Sequence, residues 1–145
     1  MKTSLPLSKI NYFIIAVLLL SSFTLYAQPK REFRSTWFQT VWNGDWPKTK
    51  GTTSGNLTTQ KSELTTWFDN LKNANINAVS FQIRSMCDAM YPSDYAPWSE
   101  FLSGTRGTAP YGSFDFLDYA IEEAHSRGME LHVWLNPYRI GSRSN

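Results

Sequence analysis

Three short runs of β-forming residues alternate with two amphipathic helical stretches, and this order constrains the fold more than any other feature of the chain. Phe33 to Val41 (FRSTWFQTV) is rich in aromatic and β-branched residues, which suit a pleated surface, and reads as a first strand. Leu64, Trp67, Phe68 and Leu71 fall at i, i+3, i+4 and i+7, placing one apolar stripe on a helix from about Gln60 to Ala74. Asn75 can take the left-handed conformation that ends it. Val79, Phe81 and Ile83 alternate with Ala78, Ser80, Gln82 and Arg84 in a second strand. A second helix is expected from about Phe116 to Arg127, with the stripe Leu117, Ala120, Ile121 and Ala124. Ser113 or Asp115 would cap its start, and Gly128 lies just past its end. Met129 to Leu135 is the third strand, read as buried from the alternation of Leu131, Val133 and Leu135.

The order β-α-β-α-β implies parallel strands joined by right-handed crossovers, in a barrel or an open sheet. Helices return to the next strand within a few residues, whereas the strand-to-helix connections are long: Trp42 to Thr59 and Ser85 to Asp115. Structureless connections of that length are uncommon unless they are functional. In a (β/α)8 barrel the active site is built from these loops, at the C-terminal ends of the strands. Asn136, Tyr138 and Arg139, which turn the third strand abruptly polar, fall at that same end. A whole barrel needs about 250 residues, so the chain is expected to be the front portion of a larger protein. Its third strand would have an open apolar edge, which invites aggregation.

The N-terminal stretch has a basic start at Lys2 and Lys9, an apolar middle from Asn11 to Ser22, and Ala27 before Gln28. That pattern is a secretory signal peptide over residues 1–27, leaving one small domain in 28–145. An uncleaved anchor is the alternative, against which the apolar core falls short of the ~20 residues that span a bilayer. No cysteine lies near Ala27 to carry a lipid. Without Lys2 and Lys9 the 14 Lys and Arg residues become 12, matching the 12 Asp and Glu. A neutral balance offers no electrostatic footprint for nucleic acid. The single cysteine, Cys87, excludes an internal disulfide and reads as a small buried residue rather than a reactive thiol.

Three stretches carry a resemblance: REFRSTWFQTVWNGDWP, NAVSFQIRSMCDAMYPSDYAPWSEFLSGTRGTAP and FDFLDYAIEEAHSRGMELHVWLNPYR. Together they resemble the N-terminal part of the glycosyl hydrolase-like 10 family, over about Arg31 to Arg139. The specific elements are the Arg-Glu start, a Trp-Pro turn, Asp-Ala-x-Tyr-Pro-Ser after the second strand, Pro-Trp-Ser, and Asn-Pro-Tyr-Arg after the third. Ser85 stands where the family has proline and Asn75 where it usually has glycine; neither departure removes a plausible catalytic group. The resemblance implies a bacterial exported protein, periplasmic, cell-surface or extracellular, with a (β/α)8 glycosidase barrel. It also places the catalytic pair on later strands, beyond Asn145.

Glycoside hydrolysis needs two carboxyl groups flanking the scissile bond, and the two long loops hold only Asp45, Asp88, Asp94 and Glu100. Asp88 is the best placed, as a substrate ligand or a group paired with Arg84 or Arg139; a loop-capping aspartate bonded to backbone amides is the equal alternative. Trp42, Trp46, Tyr91, Tyr95 and Trp98 could stack on sugar rings or pack the loops against the rim. Gln82, Arg84 and Asn136 sit at strand ends, where polar groups on a buried sheet need partners, internal or bound. The family motif favours the site for Tyr138 and Arg139. The substrate-contacting set is therefore Trp42, Asp45, Gln82, Arg84, Asp88, Tyr91, Trp98, Asn136, Tyr138 and Arg139.

Other chemistries fit poorly. His125 and His132 match no zinc spacing, and His132 reads as a satisfied core residue. Neither a phosphate-loop lysine nor a Gly-x-Ser-x-Gly elbow occurs. No metal or cofactor is expected, nor stable membrane insertion once the signal peptide is removed. The sequence reads as part of an exported glycoside hydrolase acting on the O-glycosidic bonds of a polysaccharide, cell-wall glycan being one candidate. A non-catalytic carbohydrate-binding barrel and a truncated inactive fragment are the alternatives.

Overall fold

The computed structural model describes Tyr12 and residues 32–141. The chain divides into a unit ending at Glu32 and a unit beginning at Phe33. The expected signal peptide, residues 1–27, lies outside the described residues apart from Tyr12, and the fold below is that of the second unit. No helix among the described residues is long and apolar enough to cross a membrane.

Three parallel strands form one sheet in the order β1 (Ser35–Phe38), β2 (Ala78–Arg84), β3 (Glu130–Leu135). Helix α1 (Ser54–Asn73) joins the first two, and α3 (Phe116–Ser126) precedes the third. A short helix α2 (Glu100–Ser103) lies within the long connection after β2. The mixed α/β architecture and parallel pairing expected from the alternation are therefore present.

The register separates two faces. Thr36 and Phe38 pair with Val79 and Phe81, which pair with Leu131 and Val133, so these side chains share the helix-covered face. Phe38, Val79, Phe81 and Ile83 are buried there against Leu64 and Phe68 of α1 and Phe116, Ala120 and Ala124 of α3. The aromatic rings meet at an angle, with Phe38 to Phe81 at 5.4 Å and Trp46 to Phe116 at 4.9 Å between centroids, an arrangement that adds stability beyond area burial.

Two expectations about β3 are corrected. Val133 and Leu135 are 51% and 48% exposed, because β3 is a sheet edge and no described element packs over its outer half. His132 is not a core residue: it is exposed, on the opposite face, with Nε2 3.0 Å from the Glu130 carboxylate. On that open face Trp37 and Trp134 meet edge to face at 4.7 Å across the central strand, where Ser80 offers little bulk.

Helix α1 begins at Ser54, six residues before the expected start. Thr53 accepts from the Asn56 amide while the Asn56 side chain accepts from the Thr53 amide, a reciprocal cap. The apolar face also extends backwards through Gln60, which is fully buried and donates Nε2 to the Thr49 and Leu102 carbonyls. Asn75 does adopt φ 59° and Gly128 φ 68°, reversing the chain after each helix. Asp115, not Ser113, caps α3, accepting from the amides of Leu117 and Asp118.

Candidate functional site

The connections that follow β1 and β2 are folded rather than structureless. Asn43 Nδ2 donates to the Pro47 and Phe101 carbonyls, and the Gly51 amide donates to Leu102, so the two loops hold each other. After β2, Asp88 folds back and accepts from the Ser85 amide at 2.9 Å, the Met86 amide at 2.7 Å and the Ser85 hydroxyl. Its carboxylate is buried and occupied by this turn, which is the loop-capping arrangement; it pairs with neither Arg84 nor Arg139.

Gln82 is also fully buried, at the end of β2 on the open face. Its Oε1 accepts from the Thr40 amide at 3.0 Å and the Val41 amide at 2.9 Å, and lies 3.3 Å from the Thr40 hydroxyl. Gln82 thereby pins the chain as it leaves β1, and the next residue, Trp42, turns outward with φ 54°. Its Nε2 has no partner among the described residues. The sequence located this residue at the strand end but not the amides it holds, which come from the connection that follows β1.

A bulge in β2 shapes the adjoining rim. Gln82 pairs with Trp134 but Arg84 pairs with Leu135, so Ile83 is the extra residue. Its carbonyl is released from the ladder and accepts from the Met90 amide at 3.1 Å. Arg84 is half-buried, and its Nε donates to the Asp88 carbonyl at 3.2 Å. Asn136 donates its amide to the Arg84 carbonyl and Nδ2 to the Ser85 carbonyl, while its Oδ1 accepts from Trp134 Nε1 at 2.9 Å. Arg84, Cys87, Leu135, Asn136 and Pro137 line a cleft of about 160 Å³. Two residues beyond Pro137, the Arg139 guanidinium lies 4.6 Å from the Trp42 ring centroid, a cation–π geometry. Trp42 is 60% exposed and Tyr138 almost wholly so.

Not every expected residue joins this cleft. Asp45 is half-buried and braces its own loop, accepting from the Gln39 amide at 2.8 Å. Tyr91 and Trp98 are partly buried against the core, and Tyr95 stands in solvent. Trp46 is not a stacking surface: it is fully buried, donating Nε1 to the Gln60 carbonyl at 2.9 Å. Two residues were missed. Cys87 is half-buried rather than buried, with φ 50°, and lines the cleft. Arg106 donates to the carbonyls of Met86 and Cys87 at 2.9 and 3.0 Å, bracing the cleft wall from 20 residues away. Nothing local in GTRGTAP marks that contact. Among the described residues no cluster of three metal-ligating side chains exists.

These observations define an α/β protein that gathers exposed aromatic, amide and guanidinium groups at the C-terminal ends of parallel strands. The chain belongs to the glycosyl hydrolase-like 10 family, which it matches over residues 32–145. It is 43% identical to glycosyl hydrolase YngK of Bacillus subtilis (strain 168) over 131 residues, 90% of this chain and 24% of that protein. It is 35% identical to glycosyl hydrolase DigH of Escherichia coli (strain K12) over 117 residues, 78% of this chain and 26% of that protein. The chain thus spans about a quarter of the length of these relatives.

Proposed function

We propose that the chain is the N-terminal portion of an exported glycoside hydrolase that cleaves O-glycosidic bonds of a polysaccharide, with cell-wall glycan a candidate substrate. The observation that carries this reading is the convergence of Trp42, Arg84, Asn136 and Arg139 at the C-terminal ends of parallel strands in a chain of a glycosyl hydrolase-like family. That end is where a (β/α)8 barrel assembles its active site, and we read β1 to β3 as the first three strands of such a barrel. An exposed indole stacks on a sugar ring, while the rim's polar side chains bond hydroxyls.

Hydrolysis further requires an acid and a base or nucleophile roughly 5 to 9.5 Å apart. Asp45 and Asp88 are engaged by backbone amides of their own loops, so the catalytic pair is assigned to later strands. Those same engagements favour, as a second reading, carbohydrate binding without hydrolysis. The test is release of reducing ends from a panel of bacterial and plant polysaccharides by the full-length protein. Release supports hydrolysis; retention of a glycan with no release supports the second reading.

A further inference from the structure

Arg84 lines the cleft, Arg106 binds two carbonyls of its wall and Arg139 follows its last lining residue by two positions; among the described residues none of the three has a carboxylate partner. Among the described residues the ion pairs not involving Glu32 or Arg34 are Arg127 with Asp69 and Glu123, and His132 with Glu130. Among the described residues Arg84 spends only Nε, on the Asp88 carbonyl, and neither η nitrogen has a partner there, while the side chain is half-buried in the cleft wall. Arg106 spends its η nitrogens on two neutral carbonyls beside the cleft. Arg139 rests on the neutral Trp42 indole. Asp88, whose carbonyl takes Arg84 Nε, has its carboxylate oxygens engaged by Ser85 and Met86. The cleft and its wall therefore carry positive charge that the described residues leave uncompensated.

We propose that this cleft receives a carboxylate borne by the glycan, so that the ligand is an acidic polysaccharide. The inference rests on the carbohydrate reading above and narrows its substrate class. A guanidinium with two free η nitrogens presents the planar fork that binds a carboxylate through two parallel N–H bonds. The Asp88 carbonyl fixes the plane of that fork through Nε. Partial burial protects the contact from the screening that weakens surface ion pairs. Carboxylates from other parts of the protein are the competing partners, and a ligand whose retention depends on its own carboxyl groups distinguishes the two.

The test is affinity electrophoresis of the full-length protein in gels containing hyaluronate or polygalacturonate, each compared with the same polymer after reduction of its carboxylates to alcohols. Retention in at least one acidic polymer is expected to fall tenfold or more on carboxyl reduction. Arg84→Gln is expected to abolish that difference, Arg84→Lys to keep part of it, and rising salt to weaken it. Melting temperatures of the variants identify any loss due to unfolding, and Arg139→Gln provides a second, surface variant expected to act in the same direction. Retention indifferent to carboxyl reduction, absence of retention in every acidic polymer, or Arg84→Gln and Arg139→Gln behaving as the native protein would each overturn the proposal. Reducing-end release is read separately on the same preparations. A protein that binds acidic glycan without cleaving it refutes the hydrolase reading and leaves this one standing.

Discussion

Replacing Gln82 by leucine tests how the rim is built. The substitution keeps a buried side chain of similar length and removes the oxygen that accepts from the Thr40 and Val41 amides. Thr40 is fully buried and Val41 nearly so, so water cannot readily replace the lost acceptor. A buried donor left unsatisfied costs about 1–3 kcal/mol. Two such donors would give about 2–6 kcal/mol, and removal of the unpartnered Nε2 brings the expected net to about 1–3 kcal/mol by the same scale. The Thr40 hydroxyl adds little, because it retains the Gln82 backbone carbonyl at 2.9 Å.

The loss should be local to the exit from β1, so amide hydrogen exchange on the full-length protein is the assay. A loss of that size speeds exchange in the segment from Gln39 to Asn43 by roughly 5- to 140-fold, one factor of ten per 1.4 kcal/mol. Peptides from α3 should keep their native exchange. Unchanged exchange from Gln39 to Asn43 would refute the reasoning, since the two amides would then have an acceptor other than Gln82.

Burial above all raises the Tyr119 phenol above its ordinary value, with the Glu123 carboxylate adding to the effect and the Thr65 hydroxyl opposing it. A raised folded-state value favours the fold fully below the ordinary phenol range, and that contribution is lost as pH rises through the raised value. Absorbance titration should therefore show one tyrosine ionising after the rest, and Tyr119→Phe should remove that last step. Trp42→Ala should weaken glycan retention about tenfold, equivalent to 1.4 kcal/mol, with an unchanged melting temperature because the ring is mostly exposed; an unaffected retention would exclude Trp42 as a platform. Residues 28–145 expressed alone should aggregate, because β3 presents a free edge with Val133 and Leu135 half-exposed. A soluble polypeptide of that span with a single cooperative melt would refute the edge argument.

Most of the fold was legible because the periodicities are local. Alternation in β2 and the i, i+3, i+4, i+7 stripe of α1 are properties of neighbouring residues, and burial follows them directly. Asn75 and Gly128 announced the helix ends by their tolerance of positive φ. The start of α1 was obscured because Gln60 occupies an apolar position in the stripe and Asn56 replaces the usual acidic partner of the cap. Burial of β3 was misread because alternation specifies a face, whereas burial needs a neighbour to cover it, and the described residues supply none.

The candidate site divides along the same line. Sequence alone determined that long loops and polar strand ends gather at the C-terminal side of a parallel sheet, because crossover handedness and chain direction leave no other side for them. It also identified the residue types that can contact a sugar. Only tertiary structure decided which ones face the cleft. Trp46 and Trp42 are four residues apart and chemically alike, yet Trp46 is sealed beneath α1 by its bond to the Gln60 carbonyl while Trp42 is turned outward by the anchored Val41 amide. Asp88 and Arg84 could have paired, but the turn places three donors on the carboxylate and offers the guanidinium only a carbonyl. A side chain's role follows from the partners that reach it, and those partners come from strands and loops distant in sequence.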